Sequence, residues 1–282
     1  MVEHRRFGNL LPHLVLLVGV LIVAFPVYMA IIASTHDQAV IANGQMPLTP
    51  GSQAYENYYR TIVAGTTKTT RAPVGGMLLN SLIMALGIAA GKIAISIISA
   101  FAIVFFAFPF RMAAFWTIFI TLMLPVPVRI VSTYQVVSVL GWIDTYWGLT
   151  VPLMASATGT FLFRQYYQTI PDSLAEAAQL DGAGPLRFLW SFLLPLSKAN
   201  VAALFVILFV YGWNDYLWPL IVTNTPEMRT AVIGIDSLIP RTSQLPEWNI
   251  AMAAAMMVLL PPVIVIVTMQ RWFVKGLIET EK

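Results

Sequence analysis

Residues 77–108 read MLLNSLIMALGIAAGKIAISIISAFAIVFFAF, and Lys92 is the only charged side chain among them. A helix needs about 20 apolar residues to cross the hydrocarbon core of a membrane, and this stretch is longer than that. It is also too uniformly apolar for a barrel strand, in which apolar and polar residues alternate over about 10 positions. The segment therefore predicts a transmembrane helix.

The composition of the whole chain agrees with a membrane location. Of 282 residues, 58% are hydrophobic and 10% are charged, whereas soluble domains carry about 25% charged residues. This excludes a soluble enzyme, a disordered tail and a nucleic-acid-binding protein. The net charge of +3 is more typical of basic residues in loops beside a membrane than of a nucleic-acid surface. The absence of cysteine excludes disulfides, thiolate metal sites and cysteine nucleophiles.

Five further apolar stretches extend this pattern along the chain. We predict an all-α membrane protein with one transmembrane domain, residues 1–282, and six transmembrane helices. The predicted spans cover residues 10–33, 77–108, 113–132, 145–163, 199–223 and 250–270. Several spans contain proline, which membrane helices tolerate because neighbouring groups satisfy the freed carbonyls. Kinked helices would also suit a protein that opens alternately to the two sides.

Basic residues predict the orientation, because cytoplasmic loops are enriched in lysine and arginine. With the N-terminus inside, the cytoplasmic segments hold nine of these residues and the longer outer loops hold five. Both termini are therefore expected in the cytoplasm. The first span is too long for a signal peptide and lacks a clean cleavage site, so we interpret it as retained.

The cytoplasmic loop between the fourth and fifth spans, residues 164–198, carries the most specific pattern. It contains PDSLAEAAQLDGAGP at residues 171–185. Asp172 or Ser173 can cap a helix, and the alanines and leucines that follow favour one. Gly182 can end that helix and Pro185 can begin the next. A short helix with a small-residue face is suited to dock into a groove of another protein, although an ordinary surface helix has the same pattern.

This loop resembles the EAA motif of ABC importer permeases. Glu176, Ala177 and Ala178 are followed by Gly182 four positions later, and then by Leu194 and Pro195. In that family the loop is the coupling helix, which docks on the ATP-binding subunit. The resemblance extends over nearly the whole chain, to the carbohydrate-uptake permeases of the maltose type, and implies the type I importer permease fold. It assigns coupling to Glu176, Ala177, Ala178, Asp181, Gly182 and Pro195.

The resemblance also implies the partners. They are a second homologous permease, a dimer of ATP-binding subunits, an extracytoplasmic solute-binding protein and the lipid bilayer of a bacterial cytoplasmic (inner) membrane. The sequence has no phosphate-binding loop, since Gly91-Lys92 lacks the earlier glycine and a following serine or threonine. We therefore expect a transport subunit without enzymatic activity or cofactor of its own, with ATP and magnesium held by partner subunits.

Three charged residues inside the predicted spans mark a candidate translocation path: Lys92, Arg129 and Asp215. Such residues are costly in a membrane, so they face a partner, water or a pathway. Arg129 and Lys92 could attract a phosphate-bearing solute, because a guanidinium fork matches two phosphate oxygens. The polar and aromatic residues that could complete the path are Gln135, Tyr211, Trp213 and Asn214.

Each charged residue also has an alternative interpretation. Arg129 could extend to the outer membrane interface, and Lys92 could pair with an acidic residue or a carbonyl of the partner permease. Asp215 would repel an anion, which favours an ion-pair or gating role. In maltose-type relatives the other permease holds most substrate contacts, so this chain need not contain the main site.

Within the family, several stretches are most similar to permeases that import glycerol phosphates, among them Tyr211-Gly212-Trp213-Asn214. That similarity implies sn-glycerol-3-phosphate or glycerophosphodiesters as substrates. The alternatives are a permease for a neutral oligosaccharide or polyol and, more distantly, a secondary transporter, which would not need the EAA pattern. A membrane enzyme is disfavoured because the three histidines form no catalytic motif.

Overall fold

The computed structural model describes residues 10–64, 73–121, 125–155, 157–238 and 246–279, and these residues form helices and loops without a strand. The helices are α1 (Leu10–Ser34), α2 (Gln38–Ala42), α3 (Ala54–Tyr59), α4 (Val74–Phe105), α5 (Arg111–Ile120), α6 (Val126–Val139), α7 (Tyr146–Thr150), α8 (Ala157–Tyr167), α9 (Asp172–Leu180), α10 (Pro185–Phe188), α11 (Leu194–Leu196), α12 (Lys198–Trp213), α13 (Leu217–Val222), α14 (Ala231–Leu238) and α15 (Trp248–Glu279).

Three of these helices are long and apolar enough to cross a membrane as single elements. They contain Pro12–Ser34 of α1, all of α4 and Trp248–Trp272 of α15. They correspond to the first, second and sixth predicted spans. Pro26 lies inside α1, and Pro261 and Pro262 lie inside α15, without ending either helix.

The other three predicted spans are divided, which the apolar pattern did not reveal. The third contains α5 and the start of α6, and Pro125 is the N-cap residue of α6. The fourth contains α7, a 3₁₀ turn at Val151–Leu153 and α8. The fifth contains α12 and α13, with Asn214–Tyr216 between them. Proline lacks a backbone N–H and restricts the preceding residue, which explains the divisions near Pro125 and Pro152.

Two compact units account for the tertiary contacts. In the described part of the chain, the first unit comprises residues 10–64, 73–76, 234–238 and 246–259. It is held together by polar contacts around the buried side chain of Asn57. The Asn57 amide donates to the carbonyl oxygens of Ser34 and His36, both at 2.9 Å, and its oxygen accepts from the Asn249 amide at 2.9 Å.

An ion pair lies in the same unit. Arg60 Nη2 is 3.0 Å from Glu247 Oε1, and the Glu247 side chain is only 8% exposed. Burial of a carboxylate is costly without a partner. Arg60 therefore stabilises the carboxylate of Glu247, the residue immediately before the start of α15.

The second unit comprises residues 77–121, 125–155, 157–233 and 260–279 of the described chain. Within it, α4 packs closely against the fourth predicted span at two glycines. A Cβ atom at Gly87 would lie 3.0 Å from Thr150 Cγ2, and one at Gly91 would lie 2.4 Å from Met154 Cγ. Gly87 and Gly91 therefore allow two segments of this subunit to pack closely, as glycine pairs do between membrane helices.

One end of α4 holds a loop through side-chain hydrogen bonds. The Asn80 amide donates to the carbonyl oxygens of Glu227 (2.7 Å) and Arg229 (3.0 Å), and its oxygen accepts from the Tyr146 hydroxyl at 2.8 Å. The adjacent Ser81 hydroxyl accepts from the backbone N–H of Ala231 at 2.8 Å. Because buried polar groups are stable only when they are satisfied, these bonds fix residues 227–231 to α4.

Candidate functional site

The candidate coupling helix is α9, and its end is determined by the glycine of the EAA pattern. The N–H of Gly182 donates to Gln179 O at 2.9 Å, and the N–H of Ala183 donates to Ala178 O at 2.8 Å. Gly182 has φ +72°, in the left-handed region. These two bonds form a Schellman motif, which requires that conformation at the residue after the cap, Asp181. The four-residue spacing from Ala178 to Gly182 is therefore a capping geometry.

The start of α9 differs from the sequence-based expectation. Pro171 is the N-cap residue and makes no side-chain hydrogen bond, so neither Asp172 nor Ser173 is the cap. Asp172 lies instead in the first turn, where its carboxylate interacts favourably with the positive end of the helix dipole.

The two faces of α9 have different environments. Ala178 is buried together with Ala183, and both border a cavity of about 300 Å³ that is also lined by Phe101, Phe105 and Phe188. Phe188 lies 5.3 Å from Phe105 and 6.5 Å from Phe101 between ring centres. The predicted coupling residues Glu176, Ala177, Asp181 and Gly182 are exposed. One face thus attaches the helix to α4, and the other is free to contact a partner.

The second part of the loop is apolar and strongly bent. Residues Leu189–Leu193 form a π-helical turn between α10 and α11. The helical run Pro185–Leu196 then meets α12 at an angle of 75°. Pro195, the last predicted coupling residue, lies in α11 beside this bend and is exposed. Leu180, Leu186 and Trp190 are large exposed apolar side chains in the same loop.

The structure brings the candidate path charges together. Lys92 lies in α4, and its ammonium nitrogen is 4.5 Å from the centre of the Tyr211 ring of α12, which is a cation–π contact. Arg129 and Asp215 are near enough for their charges to influence the Lys92 ammonium, although neither contacts it in an ion pair within 4.0 Å in the described residues. Lys92, Arg129, Tyr211 and Asp215 therefore form one group, which we call the charged cluster.

Two residues of the charged cluster, Arg129 and Asp215, lie next to breaks between helices. Arg129 is exposed in the first turn of α6, just after Pro125. Asp215 lies in the division between α12 and α13 and accepts a long hydrogen bond, 3.4 Å, from the N–H of Trp218. Backbone groups freed at such divisions can bind polar solutes inside a membrane. The cluster combines two cations with one anion, so it carries a net positive formal charge.

Three other predicted path residues lie apart from this group or have other partners. Trp213 is 1% exposed and its ring stacks on Phe209 at 5.8 Å, so in this structure it packs in the core. Asn214 is exposed and donates to Val210 O at 3.0 Å, which caps α12. Gln135 is exposed on α6, six positions after Arg129, and thus about 240° further around the helix.

Sequence reasoning missed the side chains that hold these elements. Asn80 and the aromatic residues around Phe188 have no local pattern that predicts their contacts, because their partners lie far away in sequence. Asp144 was missed for the same reason. Its carboxylate accepts from the N–H groups of Asn224 and Thr225 at 2.6 and 3.0 Å, and its φ is +55°. Aspartate adopts a positive φ more readily than most residues, and this preference is the sequence feature that could have indicated the role of Asp144.

Comparison with known families identifies the class of protein. The chain belongs to the family described as binding-protein-dependent transport system inner membrane component, whose profile matches residues 77–279. It is therefore a membrane-embedded transport permease and not an enzyme. A bacterial ABC transporter involved in the import of the acidic polysaccharide alginate includes a chain with the same fold. The TM-score is 0.80 at 19% identity, and the match covers 97% of this chain and 99% of that one. This is the fold of type I ABC importer permeases.

Curated relatives match over their full length. The sn-glycerol-3-phosphate transport system permease protein UgpE of Rhizobium meliloti is 55% identical over 282 residues, which is 100% of both chains. The proteins of the same name from Agrobacterium fabrum and Yersinia pestis bv. Antiqua are 55% and 51% identical over the same coverage.

Proposed function

We propose that this chain is one permease subunit of an ATP-driven importer for sn-glycerol-3-phosphate, and that glycerophosphodiesters share its path. The observation that carries the proposal is the identity of 51–55% over the whole chain to permeases named for that substrate. A neutral sugar or polyol is the competing substrate class, and these relatives do not favour it.

The charged cluster supports an anionic substrate. An organic phosphate brings negative charge into a region where uncompensated charge is costly. Lys92 and Arg129 would offset that charge, and the planar Arg129 side chain can bind two phosphate oxygens at once. Asp215 would hold Lys92 in place while the path is empty, since its charge attracts that ammonium.

The assembly that we propose has four kinds of component beside the bilayer. This chain, as one transmembrane domain, pairs with a second permease, and an extracytoplasmic protein delivers the solute. A dimer of ATP-binding subunits binds ATP and magnesium and presses on the exposed face of α9, around Glu176, Ala177 and Asp181. The segment between α13 and α15, predicted from the sequence as the outer loop at residues 224–249, faces the binding protein; residues 239–245 of it lie outside the described residues. Both termini lie on the cytoplasmic side of the inner membrane.

The test is uptake by the complete transporter in proteoliposomes. Labelled sn-glycerol-3-phosphate should accumulate only when ATP and the binding protein are both present. Arg129→Ala should lower uptake at least tenfold while binding-protein-stimulated ATP hydrolysis continues. Arg111→Ala is the matched control, because Arg111 is an exposed arginine at the start of α5 and outside the cluster.

Three results would contradict parts of the proposal. Uptake of a neutral sugar with no transport of the phosphate ester would overturn the substrate. Normal uptake by the Arg129 variant would remove that residue from the path. Uptake without ATP-binding subunits would overturn the mechanism, because a secondary transporter alone behaves in that way.

A further inference from the structure

A groove lies at the bend between α11 and α12. It shares only Pro195 with the predicted coupling residues and no residue with the charged cluster. Its volume is about 500 Å³. The residues that line it are Trp190, Leu194, Pro195, Lys198, Val201, Ala202, Phe205 and Met269. All of them belong to the second compact unit. Lys198 is the only charged side chain in this lining.

The groove is polar at one end and apolar along its length. Lys198, Val201, Ala202 and Phe205 are spaced by three and four residues, so they form one continuous stripe on α12. The stripe begins with the lysine at the first residue of the helix and extends about 10 Å to Phe205. An amphipathic ligand with an anionic head and an apolar chain is complementary to this arrangement.

Two side chains at the groove are available to such a ligand. Lys198 is exposed and makes no ion pair with a residue in the described ranges. Trp190 is 67% exposed. Tryptophan and lysine are both favoured at the boundary between headgroups and acyl chains, and basic pockets between helices on the cytoplasmic side bind anionic headgroups.

We propose that this groove binds an anionic glycerophospholipid of the cytoplasmic leaflet. The headgroup phosphate pairs with the Lys198 ammonium, and one acyl chain lies along Val201, Ala202 and Phe205. The proposal rests on the orientation given with the proposed function, in which Lys198 lies where α12 enters the membrane from the cytoplasm. A bound lipid would thus lie against the 75° bend between α11 and α12.

The experiment measures quenching of Trp190 fluorescence by brominated lipids in the complete transporter, reconstituted in nanodiscs. The chain has eight tryptophans, so the Trp190 signal is the difference between the native complex and one carrying Trp190→Phe. Brominated phosphatidylglycerol and brominated phosphatidylcholine are compared at equal bromine density. A lysine near a membrane surface favours an anionic lipid about fivefold, and we expect a preference of that size.

Matched variants identify the residue responsible. Lys198→Gln should reduce the preference to about one, whereas Arg187→Gln should retain it, since Arg187 is exposed in α10 but does not line the groove. Equal quenching by the two lipids in the native complex would overturn the proposal. Absence of quenching would also overturn it, because a protein partner would then cover the groove. A complex that imports solute normally but has no lipid preference would refute this site alone.

Discussion

Replacement of Phe188 by alanine should loosen α9, the proposed coupling helix, without altering the exposed side chains of α9. Phe188 is 7% exposed in α10, and its ring contacts Phe105 and Phe101 at the end of α4. It also borders the cavity under Ala178. These contacts attach α9 and α10 to a long membrane helix, so their loss should uncouple the loop from that helix.

The magnitude follows from what the ring buries. Substitutions of buried phenylalanine by alanine cost about 3–5 kcal/mol, and each well-placed aromatic pair contributes about 0.5–1.5 kcal/mol beyond the buried area. Because the Phe188 ring already borders a cavity of about 300 Å³, it makes fewer packing contacts than a fully enclosed ring. We therefore expect the lower limit, about 3 kcal/mol, which corresponds to roughly a hundredfold increase in local opening.

Hydrogen exchange of the complete transporter in nanodiscs measures this opening. The amides of Gly182 and Ala183, which cap α9, should exchange about 100 times faster in Phe188→Ala than in the native protein. Coupled uptake should fall as well. Leu186→Ala is the control, because Leu186 lies in the same helix but is 71% exposed. Native exchange rates and normal uptake in Phe188→Ala would refute the reasoning.

Three further substitutions test other parts of the structure. Gly182→Ala should destabilise α9 by about 1–2 kcal/mol, because alanine disfavours the left-handed conformation, and exchange at the cap would reveal it; unchanged protection would contradict the capping geometry. Gly148→Ala should lower the thermal stability of the complex, since the new Cβ would lie 2.2 Å from Trp142 O; a native melting temperature would contradict this. Arg60→Gln should destabilise the folded protein by about 1–3 kcal/mol, because it leaves the buried Glu247 carboxylate without its partner. Adding Glu247→Gln should recover part of that loss in thermal melts, and an additive double variant would contradict the pairing.

The sequence was sufficient where structure depends on local composition. The long apolar stretches predicted α1, α4 and α15, because twenty or more apolar residues without a strong break have few alternatives in a membrane. Gly182 likewise predicted the end of α9, since a C-cap glycine acts through its own backbone.

Other features of the structure could not be predicted from the local sequence. The divisions within the third, fourth and fifth spans depend on which carbonyls the surroundings satisfy, and proline is tolerated inside α1 and α15. The hydrogen bonds of Asn80 to Glu227 and Arg229 join residues 147 and 149 positions apart. Trp213 was predicted to add an aromatic side chain to the path, but it is buried and stacks on Phe209, which local sequence does not reveal.

The helix α4 connects two attachments at its opposite ends. Its Phe105 end contacts Phe188 of the coupling loop, and its Asn80 end holds residues 227–231. Twenty-five residues separate these points along one uninterrupted helix, a distance of about 38 Å. Such a helix moves as one rigid element, so a tilt imposed at its Phe105 end also displaces residues 227–231 at its Asn80 end. In the transporter that we propose, ATP binding beside α9 would therefore reach the opposite side of the membrane through this one helix.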